Sequence, residues 1–178
     1  MAAEKTFGPG QHGKLDHLTV SLSHPDGMAA MLSGRSEITA HFTSAPFMYQ
    51  ELEDKRVAKV LSSYDVVGGP HTFNVVWATT QFANKKRTVL EAFVAALDDV
   101  MQQIARDPAA AAALWIRAEN SKLSPDYVTW LIRLNEWTMV PKKIMPYADF
   151  MHRTGILPVK PANWQELFFP VTHNLAGS

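Results

Sequence analysis

Thr72-Phe-Asn-Val-Val-Trp-Ala-Thr79, entered through Gly68-Gly-Pro-His71, is the stretch on which the reading of the fold turns. β-Branched and aromatic residues dominate it, and Gly and Pro bound its start, the pattern of a strand leaving a tight turn. Three shorter upstream runs read the same way. Leu18-Thr-Val-Ser-Leu22 alternates apolar and polar, Ile38 to Phe42 is a second strand, and Val57–Leu61 is a third. Helices fall between them. Ser23-His-Pro-Asp26 opens one, with a cap followed by Pro in the first turn, and Gly34 stops it. A short helix starts at Phe47. Strand, helix, strand, helix, strand at this spacing predicts an α/β fold with a short parallel or mixed sheet.

Downstream the texture changes, and residues 87–154 read almost wholly as helix. Thr88-Val-Leu-Glu91 has the spacing of a capping box and opens a helix whose Phe93, Leu97, Val100, Met101 and Ile104 form one apolar stripe. Asp107-Pro108 and Ser124-Pro125 each place a cap before a first-turn Pro. Val140-Pro141 begins a further helix that ends near Thr154-Gly155, and Asn163-Trp-Gln-Glu166 begins a last short one. At the other end, the first seven residues read as a helix stopped by Gly8-Pro9-Gly10.

Composition narrows the functions. The 178 residues carry 17 basic and 17 acidic side chains, so no net charge marks a nucleic-acid surface. The chain has no cysteine, which excludes thiol catalysis, disulfides and Cys-ligated metal. No apolar run reaches the ~18–20 residues of a membrane span. The N-terminus lacks the apolar stretch of a signal peptide, so the chain as written is expected to stay in the cytoplasm.

The isolated motifs are weak. Gly8-Pro-Gly-Gln-His-Gly13 matches G-x-G-x-x-G but follows a helix end rather than a strand, so it reads as a turn. None of the seven histidines (His12, His17, His24, His41, His71, His152 and His173) forms a helical zinc motif. Ser44, His71 and Asp65 could be assembled into a triad, but no G-x-S-x-G elbow marks a nucleophile. His41 and His71 stand out by position, the first near the carboxyl end of a strand and the second in a Gly-rich turn. Ligands in open α/β sheets bind at such places, and such turns offer N–H groups to anions.

The order of several short runs resembles a known family. Ser23-His-Pro-Asp-Gly27, Leu32-Ser-Gly34, Glu37-Ile-Thr-Ala-His-Phe42, Ala45-Pro-Phe47 and Gly68-Gly-Pro-His-Thr-Phe-Asn74 look like the solute-binding proteins of ABC importers. So do Ala92-Phe-Val-Ala-Ala-Leu97, the Asp107-Pro108 break and Ala148-Asp-Phe-Met-His-Arg-Thr-Gly-Ile156. The branch is that for nitrate, sulfonates, taurine and thiamine-precursor pyrimidines, and the likeness spans about residues 1–170. It implies a periplasmic-binding-protein type II-like fragment. Residues 1–66 would be part of a second lobe, and residues 67–178 would return as the crossover strand and helices of the first lobe. Family members are roughly twice this long, so the chain would begin inside the second lobe and lack most first-lobe strands. Both a shortened product and a natural half-length protein fit that expectation.

The resemblance implies a binding protein and not an enzyme, with no cofactor and no metal. It would be periplasmic in the family's setting, working with an ABC permease and touching no nucleic acid. The ligand would be a small sulfonate, nitrate-like anion or aminopyrimidine held in an interlobe cleft. The positions matching the family's cleft loops are His41, Phe42 and Thr43 after one strand, and Gly69, Pro70, His71 and Thr72 at the crossover. Thr hydroxyls and Gly N–H groups would donate to an anion, imidazole would donate or add charge, and Phe42 would stack on a flat ligand. The apolar stripe of helix 89–105 would cover a sheet the chain does not contain, so exposed faces are expected to be exchanged in a homo-oligomer. Two alternatives remain. One is an oligomerising α/β fragment without a ligand. The other is a relative of the fungal, iron-dependent thiamine-pyrimidine synthase, whose cysteine-rich motif this chain lacks.

Overall fold

A computed structural model describes residues 1–178. It is all-helical, with no strand anywhere. Nine α-helices follow in order: α1 (Ala2–Phe7), α2 (His24–Ser33), α3 (Phe47–Leu52), α4 (Ser63–Val67), α5 (Thr80–Lys85), α6 (Arg87–Arg106), α7 (Pro108–Glu119), α8 (Pro125–Arg133) and α9 (Ile144–Arg153). Three 3-10 turns add to them, at Asp16–Leu18, Trp164–Leu167 and Pro170–Thr172.

The expected α/β fold, a type II binding-protein fragment with a parallel or mixed sheet, is therefore corrected. The reason is pairing. Beyond Thr72, whose N–H donates to the Lys142 carbonyl at 2.9 Å, the backbone of 73–78 makes no hydrogen bond. Residues 20–22 and 58–61 are equally without backbone ladder bonds. Strand propensity describes a residue's fit to a pleated surface, but a strand exists only when a neighbour supplies the ladder. Here none does, and the side chains stay in solvent: Phe73 is 72% exposed, Trp77 82% and Val60 94%.

The helix boundaries follow local chemistry. Ser23 caps α2 by accepting from the Asp26 N–H, Pro25 sits in the first turn, and Gly34 ends it at φ 64°. Asp107 and Ser124 cap α7 and α8 through Ala110 and Tyr127. Ser62 and Asp65 form a capping box on α4, a helix missing from the sequence reading. Thr88 and Glu91 do not form the expected box. The helix starts at Arg87 with no side-chain cap, and Glu91 accepts from Arg87 at 2.8 Å instead. The helix expected from Val140-Pro141 begins at Ile144.

The chain divides into two units, Met1–Gly69 and Pro70–Ser178. In the first, α2 packs on α3, and Arg56 bridges Asp54 to the Leu32 carbonyl at the end of α2. In the second, α7 and α8 form the tightest pair, with Ala112, Val128 and Leu131 buried. The C-terminal residues are tied in here. Ser178 donates its N–H to Pro141 and accepts from the Ile144 N–H, and Gly177 lies against the Trp164 ring.

The core is small. Its buried apolar residues are Ala83, Ala112, Val128, Leu131, Ala148 and Trp164, and half of them are alanine. Helix α6 buries none of its residues, and its stripe leaves Phe93 46% and Val100 47% exposed. The accessible surface is 12739 Å². A folded monomer of 19.8 kDa would expose about 8,600 Å², and two separate globules of these units' lengths about 10,400 Å².

Candidate functional site

The seven residues singled out in the sequence divide between the two units. His41, Phe42, Thr43 and Gly69 belong to the first, and Pro70, His71 and Thr72 to the second. Each group has its own surroundings.

In the first unit His41 is drawn inward. Its Nδ1 lies 2.6 Å from Oε1 of Glu51 on α3, with the two side chains 11% and 4% exposed. Nδ1–H donates to the carboxylate, which leaves Nε2 toward Nδ1 of His24 at 3.4 Å. His24 in turn stacks on Phe47, centroids 5.7 Å apart. The acid, the two imidazoles and the phenyl ring join the first turn of α2, the 38–46 loop and α3. A buried carboxylate needs such a partner, because desolvation without one is costly.

This cluster has no room for a ligand on the ring. A Cβ built on Gly27 would lie 2.7 Å from Nε2 of His41 and 3.0 Å from two ring carbons. The imidazole therefore fills the space that any other residue at 27 would occupy. His41 works as a clamp. No group of three His, Asp or Glu side chains is placed to hold a metal ion.

Phe42 points away and is 85% exposed, and Thr43 Oγ1 is buried without a hydrogen-bond partner. Gly69 has φ 124°, which only glycine adopts with ease. Its N–H is not available to an anion as expected, because it donates to the Tyr64 carbonyl at 2.8 Å, as does that of Gly68 at 2.7 Å. The turn closes helix α4 with its own amides.

In the second unit His71 and Thr72 meet α9. Tyr147 Oη stands 2.9 Å from His71 Nδ1, which is also 3.0 Å from the Thr72 carbonyl. One ring nitrogen thus serves two oxygens. It accepts from the Tyr147 hydroxyl in one tautomer and donates to the carbonyl in the other. Thr72 is locked by a double bond to the 142 peptide: its N–H donates to the Lys142 carbonyl, and its Oγ1 accepts from the Lys142 N–H at 2.8 Å. The Thr72 hydroxyl proton is left to be given to something else. Pro70 is exposed and has no N–H to offer.

Beside this junction lies an open cavity of about 360 Å³, lined by Thr72, Phe73, Val75, Ile144 and Tyr147. Its lining combines two hydroxyl-bearing residues with three apolar ones and includes no Lys or Arg. Burial pushes the Tyr147 phenol above its ordinary value of 10, which keeps it a neutral donor.

Sequence reasoning missed Glu51 and Tyr147. Both carry a readable signal. Phe47 and Glu51 are four apart, and Ile144 and Tyr147 three apart, so each pair shares a helix face. An acid on the same face as Phe47 points to a buried partner.

Comparison with protein-family models, with curated proteins and with solved structures finds no match to this chain. No helix is long and apolar enough to cross a membrane.

Proposed function

We propose that this chain is a small-molecule-binding module of the kind used by ABC importers, and that its ligand is a flat heterocycle of the aminopyrimidine class. The observation that carries the reading is the joining of the turn residues His71 and Thr72 to Tyr147 beside one cavity. The volume lies within the range typical of small-ligand sites.

Chemistry separates the candidate ligands. Nitrate or the head of taurine is a concentrated anion and calls for charged or multiple N–H donors. The wall includes two hydroxyl-bearing residues and no cation, and the turn amides are already spent on Tyr64. A pyrimidine ring suits Phe73, Val75 and Ile144 on its faces, with ring nitrogens accepting from Thr72 and Tyr147. Binding and release require no covalent step, which fits a transport component rather than an enzyme.

Calorimetric titration with 4-aminopyrimidines, taurine and nitrate tests this. Pyrimidine binding that is lost in Tyr147→Phe and Thr72→Val supports the reading. Binding of taurine or nitrate instead, or of none of the three, overturns it.

A further inference from the structure

We infer that residues 173–178 form a strap that sets the wall of the cavity, with Ser178 as the positioning residue and Lys143 as the hinge it holds. The inference concerns control of the site proposed above and rests on that reading only for what the site binds.

The hinge is read from the backbone. Lys143 immediately precedes α9 and has φ 51° and ψ 43°, in the left-handed region. A residue with a Cβ is strained there, and it keeps that conformation only where its surroundings fix it. Consecutive amides do the fixing. The Lys142 N–H donates to Thr72 Oγ1 at 2.8 Å, the Lys143 N–H to Ser178 Oγ at 3.2 Å, and the Ile144 N–H to the Ser178 main-chain oxygen at 2.8 Å. Ser178 returns its own N–H to the Pro141 carbonyl at 3.0 Å. The first N–H groups of a helix need acceptors from outside it, and no side chain of Lys143 caps α9. Ser178 fills that place from the far end of the unit.

The strap is seated on Trp164, whose side chain is buried. At one end His173 stands edge-on to the indole, and its Nε2–H is shared between the Gln165 and Phe168 carbonyls, each at 2.9 Å. At the other end a Cβ built on Gly177 would lie 2.6 Å from Cε2 of Trp164 and 2.8 Å from Cδ2 and Cζ2. Only a residue without a side chain lets the strap lie this close.

The cavity feels the strap through α9, which supplies Ile144 and Tyr147 to the lining, while Thr72, Phe73 and Val75 supply the rest. Lifting the strap takes the acceptors from Lys143 and Ile144. Lys143 is then free to leave the left-handed region, and the angle at which α9 leaves the turn changes. Ile144 and Tyr147 shift together, because they share a helix face.

Gly177→Val drives a side chain into the Trp164 ring and lifts the strap. Amide exchange at Lys143 and Ile144 is expected to quicken about tenfold or more, the worth of two hydrogen bonds, with the amides of α8 unchanged. Tyr147, read as the ultraviolet difference from Tyr147→Phe, is expected to ionise closer to 10, because burial is what raises it. Affinity for 4-aminopyrimidine in calorimetry is expected to fall about tenfold. Lys143→Gly takes φ 51° without strain and is expected to bring both Tyr147 and the affinity back toward their original values in the Gly177→Val background. A strap that only added stability would give no such rescue. Ser178→Ala leaves the strap seated and removes one acceptor, so Lys143 exchange is expected to quicken about threefold to tenfold with Ile144 unchanged.

Unchanged exchange at Lys143 and Ile144 in Gly177→Val, unchanged Tyr147 ionisation there, or no rescue by Lys143→Gly overturns the proposal. Failure of the unaltered chain to bind 4-aminopyrimidine overturns the ligand reading alone, and amide exchange and Tyr147 ionisation then decide the strap.

Discussion

Replacing Glu51 by Ala is the sharpest test of how the first unit holds together. The carboxylate accepts from His41 at 2.6 Å, and neither side chain reaches much solvent. Losing a hydrogen bond to a charged group costs about 1.5–3 kcal/mol. Leaving Nδ1 of a nearly buried imidazole unsatisfied costs about 1–3 kcal/mol more. Measured losses from breaking buried pairs run at about 3–5 kcal/mol. The lower end applies here, because the ring can change tautomer and His24 stands ready at Nε2. About 3 kcal/mol corresponds to a factor of about a hundred in an opening equilibrium. The assay is native-state amide hydrogen exchange, read at the amides of α2 and α3, which report opening of this unit. Exchange there is expected to quicken about a hundredfold in Glu51→Ala. Glu51→Gln, which keeps an oxygen for the Nδ1–H, is expected to lose only about 1 kcal/mol. A change under threefold in Glu51→Ala, or no coupling between Glu51→Ala and His41→Ala in a double-mutant cycle, would refute the clamp.

Gly27→Ala sets a helix-propensity gain of about 1 kcal/mol against an intrusion on the His41 ring, and overpacking of about 1–3 kcal/mol should win. Net destabilisation in urea titrations is the expected result, and a more stable variant would show that the ring moves aside freely. Tyr147 is expected to ionise above 10 by ultraviolet titration. Its folded pKa is raised by burial, so its contribution to stability is intact below 10 and is lost as pH climbs beyond that. Ionisation at or below 10 would deny its burial. Asp54 is lowered to about 2 by the Arg56 side-chain hydrogen bond first, and then by the Arg56 backbone N–H. Its contact is therefore expected to be whole above the ordinary value of 3.8 and to dissolve as pH falls through about 2. An Asp54 carboxyl that titrates near 3.8 by NMR would count against the contact.

Helices were legible in this sequence because their signals are local. Ser23-His-Pro, Asp107-Pro and Ser124-Pro each contain the cap, the first-turn Pro and the start of the apolar face within a few residues. The strand readings failed because a ladder needs a partner that local composition cannot supply. Thr72–Thr79 has every strand preference, yet it makes no ladder within the chain. Helix α5 was hidden for a related reason: Thr79-Thr-Gln-Phe follows that strand-like run, and only the capped N–H of Phe82 marks the change.

The candidate site was half legible. His41 and His71 were marked by position, and both take part in specific contacts, but the partners Glu51 and Tyr147 lie 10 and 76 residues away. Nor does the Gly68-Gly69 pair announce that its amides turn back to Tyr64 rather than outward.

The unpaired run from Phe73 to Ala78 has a kinetic consequence. Helix pairs such as α7 and α8 are close in sequence and form within microseconds to milliseconds. The helices are therefore complete while an uncharged apolar ribbon is still bare. At that stage any strand edge in the cell competes for the ribbon, and no charged gatekeeper within it discourages the wrong one. The rate of synthesis and the local concentration, more than the stability of the finished fold, would then decide the yield of usable protein.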